Sequence, residues 1–222
     1  MPLKEIEKIL ANIVLLSGTD ATINIPGSEL SSIFKDPGLQ VQVQQRPGQP
    51  TQQVQITSLR EQMVMVLGGG NILVEDKSAE STPKGRVAEI TNGVAALLGS
   101  RGIHFRAYGF NFHLAFDAPG EALSGQAILD RFINGDRIRQ RGDINDLTGG
   151  GIRLYFKSAS AACDLRMEPV GNKPNNPRIF SAINYHYELV GGTDLPSADL
   201  LRSDFLGKWT MFTQLVEGLM QP

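Results

Sequence analysis

Residues 104–117, HFRAYGFNFHLAFD, form the longest and most aromatic strand pattern in the chain. Side chains along a strand alternate between the two faces of its sheet. One face carries His104, Arg106, Tyr108, Phe110, Phe112, Leu114 and Phe116, and the other carries Phe105, Ala107, Gly109, Asn111, His113, Ala115 and Asp117. Because large apolar groups dominate the first set, the pattern predicts a long strand with one face in the core and a smaller, more polar face opposite.

A second stretch, residues 179–189 with the sequence IFSAINYHYEL, repeats part of this pattern. The positions that match at a constant offset are Phe105 with Phe180, Ala107 with Ala182, Phe110 with Tyr185, Phe112 with Tyr187 and Leu114 with Leu189. The match predicts an internal structural repeat with an N-terminal α+β half, residues 1–118, and a C-terminal α+β half, residues 119–222. The alternative is one continuous domain, since β propensity alone can produce such a match.

Further strands are predicted on both sides of residues 104–117. Apolar and polar residues alternate strictly over residues 39–59, which is typical of half-buried strands joined here by the loop RPGQPT. The run QMVMVL at residues 62–67 is nearly all apolar and predicts a strand covered on both faces. The GGGN sequence at residues 68–71 predicts a hairpin turn. Strands are also expected over residues 152–157, 162–167 and 178–190.

Helices are predicted where apolar residues recur every three or four positions. These segments are residues 86–98, a stretch after Pro119, and residues 196–220, the last being a long amphipathic helix. The same spacing predicts a short helix over residues 3–13, leading into a strand at residues 13–17. Because several consecutive strands are joined by tight turns, the predicted class is α+β, with antiparallel sheet or sheets and helices packed on one face.

Composition indicates an ordinary folded protein. Lys plus Arg number 21 against 23 for Asp plus Glu, so the overall charge gives no argument for nucleic acid or an anionic membrane. The apolar run at residues 9–16 is shorter than the roughly 20 residues that span a bilayer, so no membrane association is expected. The single cysteine, Cys163, fits a reducing compartment, and we expect a cytoplasmic location and a buried structural thiol.

Chemistry-bearing motifs for nucleotides, hydrolytic serine, zinc or redox cysteine pairs do not occur, so no catalytic residue is assigned and no cofactor is expected. The predicted polar face of the two aromatic strands concentrates the imidazole and carboxamide groups of the chain. This candidate polar cluster consists of Asn111, His113, Asn184, His186 and Glu188. It is the place where a site would lie if the two strands are neighbours.

The leading functional hypothesis is a non-enzymatic binding or assembly protein, homo-oligomeric or bound to a protein partner through a sheet face or edge. Nine glutamines between Gln40 and Gln62 indicate a solvated sheet face that such a partner could use. The alternative is an enzyme or metal-binding protein that uses His113, His186 and Glu188, because imidazole titrates near neutral pH and binds first-row metals.

A weaker alternative is nucleic-acid binding through the arginine-bearing loop at residues 131–153. Its candidate anion-binding residues are Arg137, Arg139, Arg141 and Arg153. Guanidinium groups match phosphate oxygens well. Interleaved aspartates nearly cancel the charge, and the loop lacks the aromatic residues that stack on single strands.

Overall fold

A computed structural model describes residues 6–17, 25–44, 53–119, 123–133, 138, 148–190 and 195–221. Within those residues the chain forms nine strands and four helices: β1 (Glu7–Ser17), α1 (Gly27–Phe34), β2 (Gln40–Gln44), β3 (Gln53–Ser58), β4 (Met63–Gly68), β5 (Asn71–Asp76), α2 (Arg86–Gly99), β6 (Phe105–Asp117), α3 (Ser124–Phe132), β7 (Ile152–Ser158), β8 (Ala161–Pro169), β9 (Arg178–Glu188) and α4 (Ala198–Met220). The strands are hydrogen-bonded in the order β2-β3-β4-β5-β1-β6-β9-β8-β7. The predicted class is confirmed: the protein is α+β, with an antiparallel sheet and helices packed on one face.

The chain divides into two compact units, each built from separate segments. Unit 1 consists of Met1–Ile9, Phe112–Asn184 and Thr210–Pro222, and unit 2 consists of Leu10–Asn111 and Tyr185–Trp209. The predicted internal repeat is not confirmed. The predicted halves, residues 1–118 and 119–222, stay a prediction.

Strands β2 to β5 of unit 2 form an antiparallel meander, since each pairs with the next strand in the chain. The tightest turn lies between β4 and β5, where Gly68 pairs with Asn71. The two residues between them, Gly69 and Gly70, have φ values of 59° and 73°. A two-residue hairpin turn of this kind requires positive φ at both positions, which glycine adopts without steric cost. The hairpin predicted from GGGN is therefore confirmed.

One face of the unit 2 sheet is buried. The β1–β5 register places Ile13 opposite Val74 and Leu15 opposite Ile72, and all four side chains are fully buried. Helix α2 lies against β5 and contributes the buried residues Val87, Ala88, Ile90, Thr91, Val94, Ala95 and Leu98. The first half of α4 covers β6, where the Phe205 and Phe110 rings meet edge to face with centroids 5.5 Å apart.

Two buried carboxylates in unit 2, Asp36 and Asp76, accept hydrogen bonds from nearby groups. Asp36 accepts hydrogen bonds from the Ser58 hydroxyl at 2.6 Å and the Gly38 backbone N–H at 2.8 Å, and these bonds lower the pKa of Asp36. Asp76 accepts backbone N–H bonds from Ser78 at 2.8 Å and Lys84 at 2.9 Å. Both side chains are buried, and such hydrogen bonds offset the free-energy cost of burying a carboxylate.

Unit 1 is organised around the β7–β8 hairpin, which runs in register from Ile152↔Met167 to Ser158↔Ala161. Helix α3 lies against β8, and the Arg131 Nε at its end donates to the Leu219 carbonyl of α4 at 2.8 Å. The second half of α4 buries Phe212, whose ring stacks on Phe112 with centroids 6.4 Å apart. Cys163 of β8 is buried, as the sequence predicted.

Two sequence predictions require correction. Residues 7–13, predicted as part of a helix, belong to the strand β1. Their apolar residues also satisfy a period of two, and β1 lies between β5 and β6, so backbone pairing on both sides overrides the helical spacing. Strand β4 is not covered on both faces, because Met63, Met65 and Leu67 are buried whereas Val64 and Val66 are half-buried.

The aromatic contact in unit 2 predicts a large difference between two truncations in the same helix. We expect Phe205→Ala to lower the free energy of unfolding by about 3–5 kcal/mol, because it leaves a cavity beside Phe110. Leu200→Ala is the matched control, since Leu200 is 65% exposed, and its effect should stay within about 0.5 kcal/mol. Urea denaturation followed by circular dichroism measures both. Equal losses for the two variants would contradict this assignment of the core.

Candidate functional site

The candidate polar cluster is divided between the two units. Asn111, His186 and Glu188 belong to unit 2, whereas His113 and Asn184 belong to unit 1. All five lie on β6 or β9, and none of them is buried.

In unit 2 a backbone hydrogen bond from the Leu189 N–H to the Arg106 carbonyl, at 2.8 Å, fixes how β6 and β9 pair. In antiparallel pairing it places Tyr108 opposite Tyr187. Their rings do stack, with centroids 4.6 Å apart and planes 4° apart. Burial, with a smaller contribution from Asp204, raises the pKa of Tyr108 to about 12. The Tyr108 phenol therefore stays protonated at neutral pH and belongs to the core.

The same register explains a cleft on unit 2. Counting back from the Leu189–Arg106 bond, Glu188 lies opposite Ala107 and His186 lies opposite Gly109. The Ala107 side chain is only a methyl group, so space remains beside Glu188. A cleft of about 390 Å³ lies there, and its polar lining residues are Arg106, His186 and Glu188.

The remaining walls of the cleft are apolar. They are formed by Leu16, Ala107, Leu189 and Val190. Of the polar cluster predicted from the sequence, the structure thus brings His186 and Glu188 to one cleft. Arg106 and Leu16 were not among the predicted site residues, because only the pairing of β6 with its neighbours places them beside His186 and Glu188.

Asn111 has a different role in unit 2. Its Nδ2 donates to Oδ1 of Asn12 at 2.8 Å. Asn12 lies in β1, the neighbour of β6 in the sheet, and is buried. The bond satisfies a buried carboxamide, which would otherwise lose free energy on leaving water. The sequence analysis missed Asn12 because residues 7–13 were predicted as a helix.

His113 lies in a separate environment within unit 1. Its ring meets the Phe180 ring edge to face with centroids 5.3 Å apart, and the Arg166 guanidinium lies 5.4 Å from the centroid of the same Phe180 ring. Burial, followed by repulsion from Arg166, holds the pKa of His113 below its ordinary value. The imidazole is therefore neutral at neutral pH. Within unit 1 the His113 ring is thus packed against an aromatic ring.

Of the candidate anion-binding residues, Arg137, Arg139 and Arg141 lie outside the described residues. Arg153 lies on β7 and makes a two-pronged bond to Asp164, with Nε to Oδ1 at 2.9 Å and Nη2 to Oδ2 at 2.6 Å. Its guanidinium also lies 5.0 Å from the centroid of the Tyr155 ring. The two nitrogens of Arg153 that would suit a phosphate are therefore already bonded to the Asp164 carboxylate.

Within the described part of the chain, no group of three or more His, Cys, Asp or Glu side chains is arranged to hold a metal ion. The helices in that part are also too short or too polar for any of them to cross a bilayer. Comparison of the chain with protein-family models, curated proteins and solved structures finds no match.

The environment of His113 predicts a pH dependence. Its pKa is lower in the folded protein than in the unfolded chain, so the unfolded chain binds the proton more readily. The free energy of unfolding should therefore decrease as pH falls below the ordinary histidine value of 6.5 and level off once pH is below the pKa of the folded state. His113→Gln should flatten this dependence, measured by urea denaturation between pH 7.5 and about 4.5.

Arg166→Gln provides the direct test, because it removes the repulsion between the guanidinium and the imidazolium. The pKa of His113, followed by NMR, should rise in this variant. Arg131→Gln, on helix α3, is the control and should leave that pKa unchanged. A His113 pKa above 6.5 in the unsubstituted protein would contradict the assignment.

The carboxamide pair predicts energetic coupling between β1 and β6. Asn12→Ala and Asn111→Ala should each destabilise the fold, and the double variant should lose less than the sum, because either single change already breaks the bond. We expect a coupling free energy of about 0.5–1.5 kcal/mol. Chemical denaturation of the four proteins measures it. Strict additivity would show that the bond contributes nothing.

Proposed function

We propose that the protein is a non-enzymatic assembly protein that pairs with a second copy of itself through the exposed edge of β2. The observation that carries the proposal is the strand sequence QVQVQ at Gln40–Gln44. It is uncharged and self-complementary, and it lies at one end of the strand order. Each of these features supports antiparallel pairing of two copies.

The backbone geometry supports the proposal first. Strands β2 and β7 are the outermost strands in the order, so each has one side on which no described strand pairs with it. Such a side presents backbone N–H and C=O groups to any strand that can lie alongside. Strand β2 is paired on its other side with β3, from Gln40↔Thr57 to Gln44↔Gln53, so it is held extended.

The sequence of β2 fits a twofold axis. If two copies pair antiparallel about Gln42, then Val41 of one copy lies opposite Val43 of the other, and Gln40 lies opposite Gln44. A contact of this kind uses the same surface twice, as twofold dimers do. Like side chains then meet across the interface without any charge conflict.

Burial of valine supplies part of the driving force. Val41 and Val43 are 52% and 60% exposed, although Ile56, which lies opposite Val41 on β3, is fully buried. Since full burial of a valine contributes about 1.5–3 kcal/mol, covering four half-exposed valines contributes about 4 kcal/mol. Backbone hydrogen bonds add about 1 kcal/mol each. Association itself costs at least about 4 kcal/mol, so we expect a weak, reversible dimer with a dissociation constant of about 0.1–1 mM.

The other edge is less suited to the same contact. Strand β7, IRLYFKS, exposes Leu154 and Tyr155 but also carries Arg153 and Lys157. Two copies paired antiparallel about Tyr155 would place Arg153 opposite Lys157, and like charges in that position are destabilising. Lysine on an edge strand is a common means of preventing such pairing. Strand β2 is therefore the edge better suited to pairing between two copies.

Val43→Lys should weaken the dimer at least about tenfold, because it introduces a charge opposite Val41 of the second copy. Sedimentation equilibrium between about 10 μM and 1 mM protein measures the dissociation constant. Leu154→Lys at the β7 edge is the matched control and should leave it unchanged.

Urea denaturation of both variants at low concentration should show an unaltered fold, since Val43 and Leu154 are exposed. A monomer throughout the concentration range would overturn the proposal. So would a dimer that Val43→Lys leaves intact.

A further inference from the structure

We propose that the outer edge of β7 in unit 1 binds an extended peptide segment of alternating acidic and apolar residues, which pairs with β7 as an added antiparallel strand. The proposal is independent of the assembly through β2, because it concerns the other end of the strand order and a different partner. It is supported by the position of β7 in the sheet, by the charges on one of its faces, and by the apolar side chains on the other.

Strand β7 is an outermost strand of the sheet. Its pairing with β8, from Ile152↔Met167 to Ser158↔Ala161, holds it extended over its whole length. No described strand pairs with its other side, which can therefore accept a strand of another chain. Peptides that add to such an edge gain affinity from main-chain hydrogen bonds, and their side chains at alternate positions give selectivity.

The charges nearest this edge are both positive. Arg153, Tyr155 and Lys157 share one face of β7, because they are two residues apart. The carboxylates of the same face, Asp164 and Glu168, lie on the inner strand β8. A strand added beside β7 therefore meets the two cations first. These cations disfavour a second copy of β7, whereas a strand with carboxylates at the same spacing complements them.

The carboxylates of β8 do not balance these charges. Asp164 is bonded to Arg153. Lys157 lies opposite Ala162, so its cross-strand pair contains no carboxylate. With Arg166 of β8, this face of the hairpin carries three cations and two carboxylates. An acidic residue opposite Lys157 would supply the counter-charge that this pair lacks.

The other face of β7 presents apolar side chains at the edge. Leu154 lies opposite Leu165, and Phe156 lies opposite Cys163. Leu165 and Cys163 are buried, whereas Leu154 is 40% exposed, so burial on this face decreases from β8 to β7. An apolar residue on an added strand would remove more of Leu154 from water. The apolar residues of the partner should therefore alternate with its acidic ones.

The positions of the cations set the spacing within the partner. Arg153 and Lys157 are four residues apart, which is about 13 Å along a strand. In antiparallel pairing, the acidic residues opposite them are also four positions apart. Apolar residues lie opposite Leu154 and Phe156, and one further residue lies opposite Tyr155. The matching pattern is therefore acidic, apolar, any residue, apolar, acidic.

The test uses the peptide acetyl-STEVTVETS-amide, which has this pattern, and follows backbone amide shifts by NMR. We expect saturable shifts in β7 with a dissociation constant of about 0.1–1 mM, because a short peptide loses conformational freedom on binding. The isomer acetyl-STVETEVTS-amide has the same composition and net charge. It can place only one glutamate at a time opposite Arg153 or Lys157, and it should bind at least about fivefold more weakly.

Lys157→Glu should weaken binding of the first peptide at least about tenfold, because it replaces attraction of a glutamate by repulsion. Lys173→Glu is the matched control, since it makes the same change of charge in unit 1 outside β7. It should leave the dissociation constant within about twofold. Both lysines are exposed, so urea denaturation of the two variants should show an unaltered fold.

The absence of saturable shifts up to about 5 mM peptide would overturn the proposal. Shifts confined to β2, or binding that Lys157→Glu leaves unchanged, would contradict the assignment to β7. Equal affinity for the isomer would show that net charge alone attracts the peptide. Tighter binding of a single-stranded oligonucleotide at the same residues would replace the peptide by a polyanion as the partner.

Discussion

The strict alternation of β6 is the constraint on which the rest of the structure depends. In unit 2 its Tyr108 and Phe110 pack against the Tyr187 ring, with centroids 4.6 Å and 5.4 Å away. In unit 1 its Phe112 stacks on Phe212. Each large side chain buried in this way contributes about 1.5–3 kcal/mol. A shift of one residue would expose the whole set and is therefore strongly disfavoured.

Commitment of one face of β6 to the core decides what the opposite face can be. Ala107, Gly109 and Asn111 must lie on that second face because they alternate with the aromatic residues. In unit 2 Ala107 lines a cleft together with His186 and Glu188, and Asn111 donates a hydrogen bond to the buried Asn12. Of the polar groups on this second face, Asn111 therefore stabilises the fold, whereas His186 and Glu188 line an open cleft.

The two outermost strands, β2 and β7, differ in the charge of their side chains. Strand β2 carries no charge and exposes two valines, whereas β7 carries Arg153 and Lys157 beside its exposed Tyr155. Arg153 is bound to Asp164 within its own unit, so its charge stabilises the β7–β8 hairpin. The two edges thus differ in whether a further strand of the same sequence can lie alongside without bringing like charges together.

The features that the sequence predicted correctly depend on residues close together in the chain. The turn at Gly69 and Gly70, helix α2 and the burial of Phe110 followed from residue types at fixed spacings. Residues 7–13 were assigned wrongly because their apolar positions fit both a helix and a strand, and only pairing with β5 and β6 selects the strand. The sequence also did not predict that Val64 and Val66 of β4 are only half-buried, because an apolar run does not determine which elements cover each face.

The sequence by itself determined the class of the fold and the two faces of β6, because alternation and helical periodicity are properties of the chain alone. It also singled out His186 and Glu188 as residues on a polar face. Only the tertiary structure decided that Arg106 and Leu16 join them, that Asn111 bonds to Asn12, and that His113 packs against Phe180. The reason is physical: such contacts depend on which strands become neighbours and in what register, and neither is encoded within one segment.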